Sequence, residues 1–290
     1  MTQHIMVGLD GSSESLEALH WAADEASTGG FQVRIVGCYR IPVAGDIHTG
    51  WVATDAYSGI MESAAAQLQR AREETELEHP ELQVTSDLFA GAPSAVLVNE
   101  TSSDTVMIVL GASSHKGASA FWLGSTPRGV IRHASCPVIV VRGSSGHACP
   151  ERVVVGVDGS DSATKALRWA ASEADRYGVQ LHVVHAWEYP YATTELGSPQ
   201  ARDLTCVDAA CVLNDAVACA REWCGVDVVG ELAEDSAPSA LLSTVRDGDL
   251  LVLSSRGRGA LKASVFGSTV NTVLDHADVT VAVIPHTAAR

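Results

Sequence analysis

The chain is written twice, and nothing else in it limits the possible folds so strongly. ALHWAADEA at Ala18 to Ala26 recurs as ALRWAASEA at Ala166 to Ala174, and VGLDGS ending at Ser12 recurs as VGVDGS ending at Ser160, both 148 residues on. APSAVL from Ala92 matches APSALL from Ala237 at a spacing of 145, and GST from Gly124 matches GST from Gly267 at 143. Self-similarity of this length in 290 residues implies two homologous domains, each with its own core. The falling spacing assigns small length differences to loops, where insertions cost least. The expected boundaries are 1–143 and 151–290, joined by a linker at 144–150 within the Gly-, Ser- and Pro-containing stretch RGSSGHACPE.

Each copy alternates strand and helix patterns. In the first, HIMVGL reads as a strand, and SESLEALHWAADEAS places Leu16, Leu19, Trp21, Ala22, Ala23 and Ala26 near helical spacing, closed by Gly29 and Gly30. FQVRIVGCY is a second strand, Gly59 to His79 a helix stopped by Pro80, LQVTSDLF a third strand, and Pro93 opens a short helix. DTVMIVLG has the near-continuous apolar character of a strand buried on both faces; a helix from Ser125 to about Ala134 and the strand CPVIVV close the copy. The second copy repeats the order with RVVVGV, Ala163 to Tyr177, QLHVVHAW, a helix ending near Cys224, VDVVGEL, Pro238 to Arg246, DLLVLS, Ser268 to His276 and VTVAVI. The pattern predicts two tandem α/β domains, each an open parallel sheet of five strands covered by helices.

Charge narrows the partners. With 19 Lys and Arg against 35 Asp and Glu, the net charge is −16, and no basic run concentrates positive potential. Such a surface repels phosphate backbones and anionic membranes, so neither a nucleic acid nor a membrane is an expected partner. The start MTQHIMVGLDGS enters a strand pattern at once and no segment is long and apolar enough to span a bilayer, which leads to the expectation of a cytoplasmic protein. Seven cysteines, four of them (Cys206, Cys211, Cys219, Cys224) in one helical region without a C-x-x-C pair, read as small packing residues rather than metal or disulfide sites.

The chemistry gathers in two places per copy. One is a strand ending in Asp-Gly-Ser, at Asp10 to Ser12 and at Asp158 to Ser160. The other is a pair of small-residue clusters: Gly111 and Ser114, then Gly124-Ser125, in copy one; Ser254 and Gly257, then Gly267-Ser268-Thr269, in copy two. In their order and spacing these motifs resemble the universal stress protein family, whose signature is G-x2-G-x9-G-[ST] after a distant strand; the resemblance covers both copies from end to end. Ser114 and Ser254 each replace one signature glycine. The resemblance implies a Rossmann-like sheet order of 3-2-1-4-5, a pseudo-twofold axis relating the copies, and ATP, with or without magnesium, as ligand. It implies binding roles for Gly8, Asp10, Cys38, Gly111, Ser114, Gly124 and Ser125, and for Gly156, Asp158, Ala186, Ser254, Gly257, Gly267, Ser268 and Thr269. Cys38 and Ala186 would lie against adenine, and the aspartates would accept hydrogen bonds from adenine or ribose.

Elementary physics agrees with the placement. Ligands of open parallel sheets bind beyond the carboxyl ends of the strands where the order reverses. A helix beginning there presents unpaired N–H groups and a positive dipole end to an anion, and glycine lets backbone approach phosphate oxygens. The rival readings are structural: Asp10 and Asp158 as helix caps, Ser125 and Ser268 as N-caps, His133 and His276 as partners of the last carbonyls of their helices. Ser114 would crowd a triphosphate, and Arg256 and Arg258 in copy two outnumber Lys116 in copy one, so copy two is expected to hold nucleotide at least as well. The function implied is a nucleotide-dependent regulator of stress response or growth arrest, not an enzyme. Its rivals are a nucleotide-free interaction protein with degenerate sites and a slow ATP hydrolase. The apolar last strands are expected to pair the copies into an internal pseudo-dimer. A homodimer of whole chains and regulatory protein partners are further expectations of the resemblance.

Overall fold

The computed structural model describes residues 3–39, 52–112, 124–142, 149–189, 199–257 and 267–286. These fall into two compact units, one reaching Arg142 and the other beginning at Cys149. In the first, β1 (His4–Leu9), α1 (Ser13–Gly29), β2 (Gln32–Tyr39), α2 (Val52–Glu78), β3 (Val84–Ala90), α3 (Pro93–Asn99), β4 (Thr105–Gly111), α4 (Ser125–His133) and β5 (Val138–Val141) follow in sequence. In the second come β6 (Arg152–Gly156), α5 (Asp161–Tyr177), β7 (Gln180–Trp187), α6 (Pro199–Trp223), β8 (Val228–Glu234), α7 (Ala237–Thr244), β9 (Asp249–Ser254), α8 (Ser268–His276) and β10 (Thr280–Ile284). All pairings within each unit are parallel. β1 pairs with β2 and β4, β2 with β3 and β4 with β5, giving the order 3-2-1-4-5. The second unit has the same order, with β6 between β7 and β9, β8 beside β7 and β10 beside β9.

Parallel pairing is forced by the helix between each pair of strands, and it leaves the central strands covered on both faces. Ile5, Met6 and Val7 of β1 and Val153, Val154 and Val155 of β6 are all fully buried, which explains why both strands are written as unbroken apolar runs. Helices α1 and α5 stop where Gly30 (φ +70) and Gly178 (φ +68) turn left-handed, a conformation that glycine adopts without a Cβ penalty.

Three sequence-based expectations need correction. Helix α2 begins at Val52, seven residues before Gly59; that glycine is an interior helical residue, tolerable at about 1 kcal/mol relative to alanine. The length differences between copies are not all in loops. His4 pairs with Thr105 but Ile5 with Met107, so Val106 is an extra residue bulged within β4, whereas Arg152 and Val153 meet Asp249 and Leu250 without interruption. The APSAVL and APSALL stretches are also out of register by one. The strand pairings make Ala90 the counterpart of Glu234, and Leu97 beneath Gly8 corresponds to Leu241 beneath Gly156. Proline fits more than one position of a first helical turn, so the slip is structurally silent.

Toward the amino ends of the strands each unit carries the same polar cluster with its members exchanged. In the first unit Arg34 bonds Asp87 (2.8 Å) and Glu100 (2.7 Å), and the His4 ring meets the Thr105 hydroxyl at 3.1 Å. In the second, arginine stands at the position of His4 and histidine at that of Arg34. Arg152 bonds both carboxylate oxygens of Asp249 (3.2 and 2.6 Å) and donates to His182 Nδ1 (3.0 Å), while His182 Nε2 lies 2.8 Å from Glu231. Because guanidinium can only donate, His182 Nδ1 accepts and Nε2 carries the proton toward Glu231. With Thr244, whose hydroxyl donates to Glu231 (3.1 Å), each cluster holds one Arg, one His, two carboxylates and one Thr, and its charge balance survives the exchange.

Two consequences are measurable. Asp249→Ala leaves the largely buried Arg152 without its bidentate partner and should cost about 3–5 kcal/mol in urea unfolding, whereas Thr105→Ala at the counterpart position should cost about 1 kcal/mol. His4 has its pKa lowered from the ordinary 6.5, first by burial and then by Arg34, with Asp104 opposing. The folded state thus favours neutral His4. The stability it contributes is complete above the unfolded value and lost as pH falls through the lower folded value. His4→Gln should flatten the fall in melting temperature just below pH 6.5, relative to the parent protein.

Candidate functional site

The Asp-Gly-Ser turns are built identically in both units. Asp10 Oδ1 accepts from the Ser12 amide (3.0 Å) and hydroxyl (2.6 Å), and Asp158 Oδ1 accepts from the Ser160 amide and hydroxyl at the same distances. The turn closes through Gly11 (φ +82) and Gly159 (φ +75), a left-handed backbone that disfavours any side chain. With its proton committed to the aspartate, each serine oxygen is free to accept, and it caps the following helix by taking the N–H of Ser15 or Ala163 (3.2 Å each). The aspartates are therefore not the caps; Ser12 and Ser160 are, and the aspartates orient them. Burial alone would raise the Asp10 carboxyl. The hydrogen bonds from Ser12, Ser15 and its own amide outweigh that effect and hold it below the usual carboxylate range.

In the first unit Asp10 lies on the wall of a cavity of about 210 Å³ at the carboxyl edge of the sheet. The lining includes Gly8, Asp10, Cys38, Gly111, Gly124 and Ser125, six residues singled out from the sequence, which the fold gathers from β1, β2, β4 and the start of α4. Ser114 and Lys116 lie outside the described residues. Sequence reading missed the apolar lining residues Val36, Pro93, Leu97 and Leu110, and also Glu14, Ser15, Thr126 and Pro127. Pro127 was legible: the first copy reads GSTP where the second reads GSTV. The Cys38 thiol is half-buried in this lining and burial raises its pKa.

The second unit places its equivalents at the same edge. Gly156 ends β6, Asp158 follows in the turn, Ala186 sits near the end of β7 and Ser254 ends β9. Gly257 packs on Asp158, where a Cβ would fall 2.5 Å from Oδ2. Gly267 precedes Ser268 and Thr269, the first two residues of α8. Arg256 Nη1 stands 3.1 Å from His286 Nε2; Arg258 lies outside the described residues.

The N-caps of α4 and α8 are Gly124 and Gly267, not Ser125 and Ser268, and neither has a side chain to bond the orphan N–H groups. Of the signature glycines, Gly111 has a packing reason. A Cβ there would lie 2.3 Å from the Glu14 carbonyl oxygen in the first turn of α1, a backbone contact that cannot rotate away. Gly267 has none: its φ is −55, and no described residue lies within 4 Å of where a Cβ would be. Its counterpart Gly124 likewise has a negative φ of −58. An uncapped helix start led by an unforced glycine leaves donors aimed at whatever occupies the crevice. His276, by contrast, is used locally, its Nδ1 donating to the Thr272 carbonyl (2.8 Å). Among the described residues no group of three or more His, Cys, Asp or Glu is placed to hold a metal ion, and no helix is long and apolar enough to cross a membrane. The cysteines are all free. Cys136 is buried, with its thiol pushed up to about 12 by desolvation, whereas Cys149 and Cys211 are exposed and have no packing role.

The fold places the protein in the class of doubled, open parallel α/β proteins, with a crevice beside the first and fourth strands of the first unit. The model of the universal stress protein family matches residues 1–142 and again 150–285, and the chain belongs to that family. It is similar to universal stress protein Rv2005c of Mycobacterium tuberculosis, 30% identical over 293 residues that cover 97% of each chain. Universal stress protein Rv2623 of the same organism is 27% identical over 286 residues, covering 93% of this chain and 92% of its own. Among solved structures, a universal stress protein from Archaeoglobus fulgidus superposes with a TM-score of 0.72 at 20% identity, covering 98% of this chain and 99% of the other, a likeness of fold.

The packing role of Gly111 is directly testable. Gly111→Ala should destabilise the first unit by about 1–3 kcal/mol through overpacking against α1. Ser254→Ala, at the counterpart position, should cost about 1 kcal/mol for the lost bond from its hydroxyl to the Arg256 carbonyl. Equal costs in urea denaturation would mean that the α1 turn yields.

Proposed function

We propose that this chain is an adenine-nucleotide-binding regulatory protein whose ligand is ATP, with or without magnesium, and that occupancy of the crevices alters how it engages protein partners. The observation that carries the reading is the uncapped start of α4 and α8, led by Gly124 and Gly267, each at the sheet edge that also holds an Asp-Gly-Ser turn. Phosphate oxygens would take the orphan N–H groups, where a helix start favours negative charge by about 0.3–1 kcal/mol even when exposed. Asp10 and Asp158, held ready by their serines, would accept from ribose hydroxyls or the adenine amino group, and Cys38 and Ala186 would wall the base.

Gly267→Asp separates ligand from structure. Aspartate is a better N-cap than glycine by a few tenths of a kcal/mol, roughly, so the variant should melt no lower than the parent. Its carboxylate would occupy the anion's place, and ATP affinity of the second unit, followed by calorimetry, should fall at least about tenfold. A parent protein whose melting temperature does not respond to millimolar ATP would sink the proposal, because a ligand specific for the folded state must stabilise it.

A further inference from the structure

The two units are not equivalent at the carboxyl edge of the sheet, and the described residues there differ in one chemical direction. The first-unit cavity is lined by sixteen described residues, of which two, Asp10 and Glu14, are acidic and none is basic. Its anion-facing helix, α4, has proline at its third position, so one of the four orphan N–H groups of a helix start is missing and a pyrrolidine ring stands in the lining instead. Its volume of about 210 Å³ lies below the roughly 300–1,000 Å³ of ordinary small-molecule clefts.

The second unit keeps the Asp10 carboxylate as Asp158 but differs at three other polar positions. Val270 replaces Pro127 and restores the fourth N–H, since the first intrahelical bond runs from Asn271 back to Gly267. Ser162 replaces Glu14, and Asp161 beside it is exposed. Arg256 follows the end of β9 by two residues, with its guanidinium 3.1 Å from His286 Nε2.

We propose that the first-unit cavity takes an adenine ligand carrying at most one phosphate and discriminates against the triphosphate, which binds in the second unit. This rests on the adenine-nucleotide reading above. An adenosine or AMP molecule uses the apolar lining residues, Asp10 and the remaining N–H groups of α4. A β,γ-diphosphate would add further negative charge to a cavity with two carboxylate-bearing residues and one donor too few. One missing charge-assisted hydrogen bond corresponds to about tenfold or more in affinity.

Cys38 offers a readout confined to the first unit. In the full-length protein its alkylation by N-ethylmaleimide can be followed by peptide mass spectrometry, with exposed Cys149 and Cys211 as internal controls. Adenosine or AMP should halve the Cys38 rate at concentrations at least about tenfold below those ATP requires, leaving the control rates unchanged. Pro127→Val, which installs the residue of the second unit, should move that ratio about tenfold toward ATP, with circular dichroism confirming an intact fold. ATP protecting Cys38 as well as AMP does would overturn the inference and leave nucleotide binding standing. So would a melting temperature raised by ATP with Cys38 unprotected by every adenine ligand. No protection and no thermal shift with any of the three would overturn both.

Discussion

Burial of the central strands on both faces is the constraint on which the rest depends. A strand such as β1, with Ile5, Met6 and Val7 sealed from water, must have helices above and below, and successive strands must then run the same way. Parallel strands collect their carboxyl ends along one edge. The order 3-2-1-4-5 splits the covering helices at β1 and β4, and the crevice opens there. The Asp-Gly-Ser turn and the start of α4 meet across it because each directly follows a strand or its connecting loop at that edge.

At the other end of the sheet the exchanged polar clusters show what kind of constraint charge imposes. His4 and Arg34 of the first unit answer to Arg152 and His182 of the second, and Thr105 and Glu100 to Asp249 and Thr244. No single position demands a residue type. The set must supply donors and acceptors that satisfy one another in a half-buried space, and two permutations do so. Repeat comparison by identity cannot see this, since all five positions differ between the copies.

Glycine in the nucleotide-like signature has two separable origins. Gly111 and Gly257 are pressed against Glu14 and Asp158, and a Cβ at either would collide with the described structure. Gly267 is free of such contact and opens a helix that nothing in its own side chain caps. Only the latter kind speaks of a ligand. A signature match therefore overstates the binding information in its glycines, while the proline three residues after Gly124, outside any glycine pattern, changes the number of donors available.

Much was legible in the sequence. Duplication, strand-helix alternation and the apolar runs determined two open parallel domains, because periodicity reports which faces a segment must bury. The Asp-Gly-Ser turns and the positions of Gly8, Asp10, Cys38, Gly111, Gly124 and Ser125 are legible as neighbours in the sequence, through their resemblance to the family. Tertiary structure decided the rest. It decided that Ser12 rather than Asp10 caps α1, that Gly124 rather than Ser125 precedes α4, that Val106 bulges inside β4, and that Glu14 and Pro127 line the same cavity as Asp10. These facts depend on distances between segments far apart in the chain, set by how helices seat on a twisted sheet. No local pattern of residues encodes such distances.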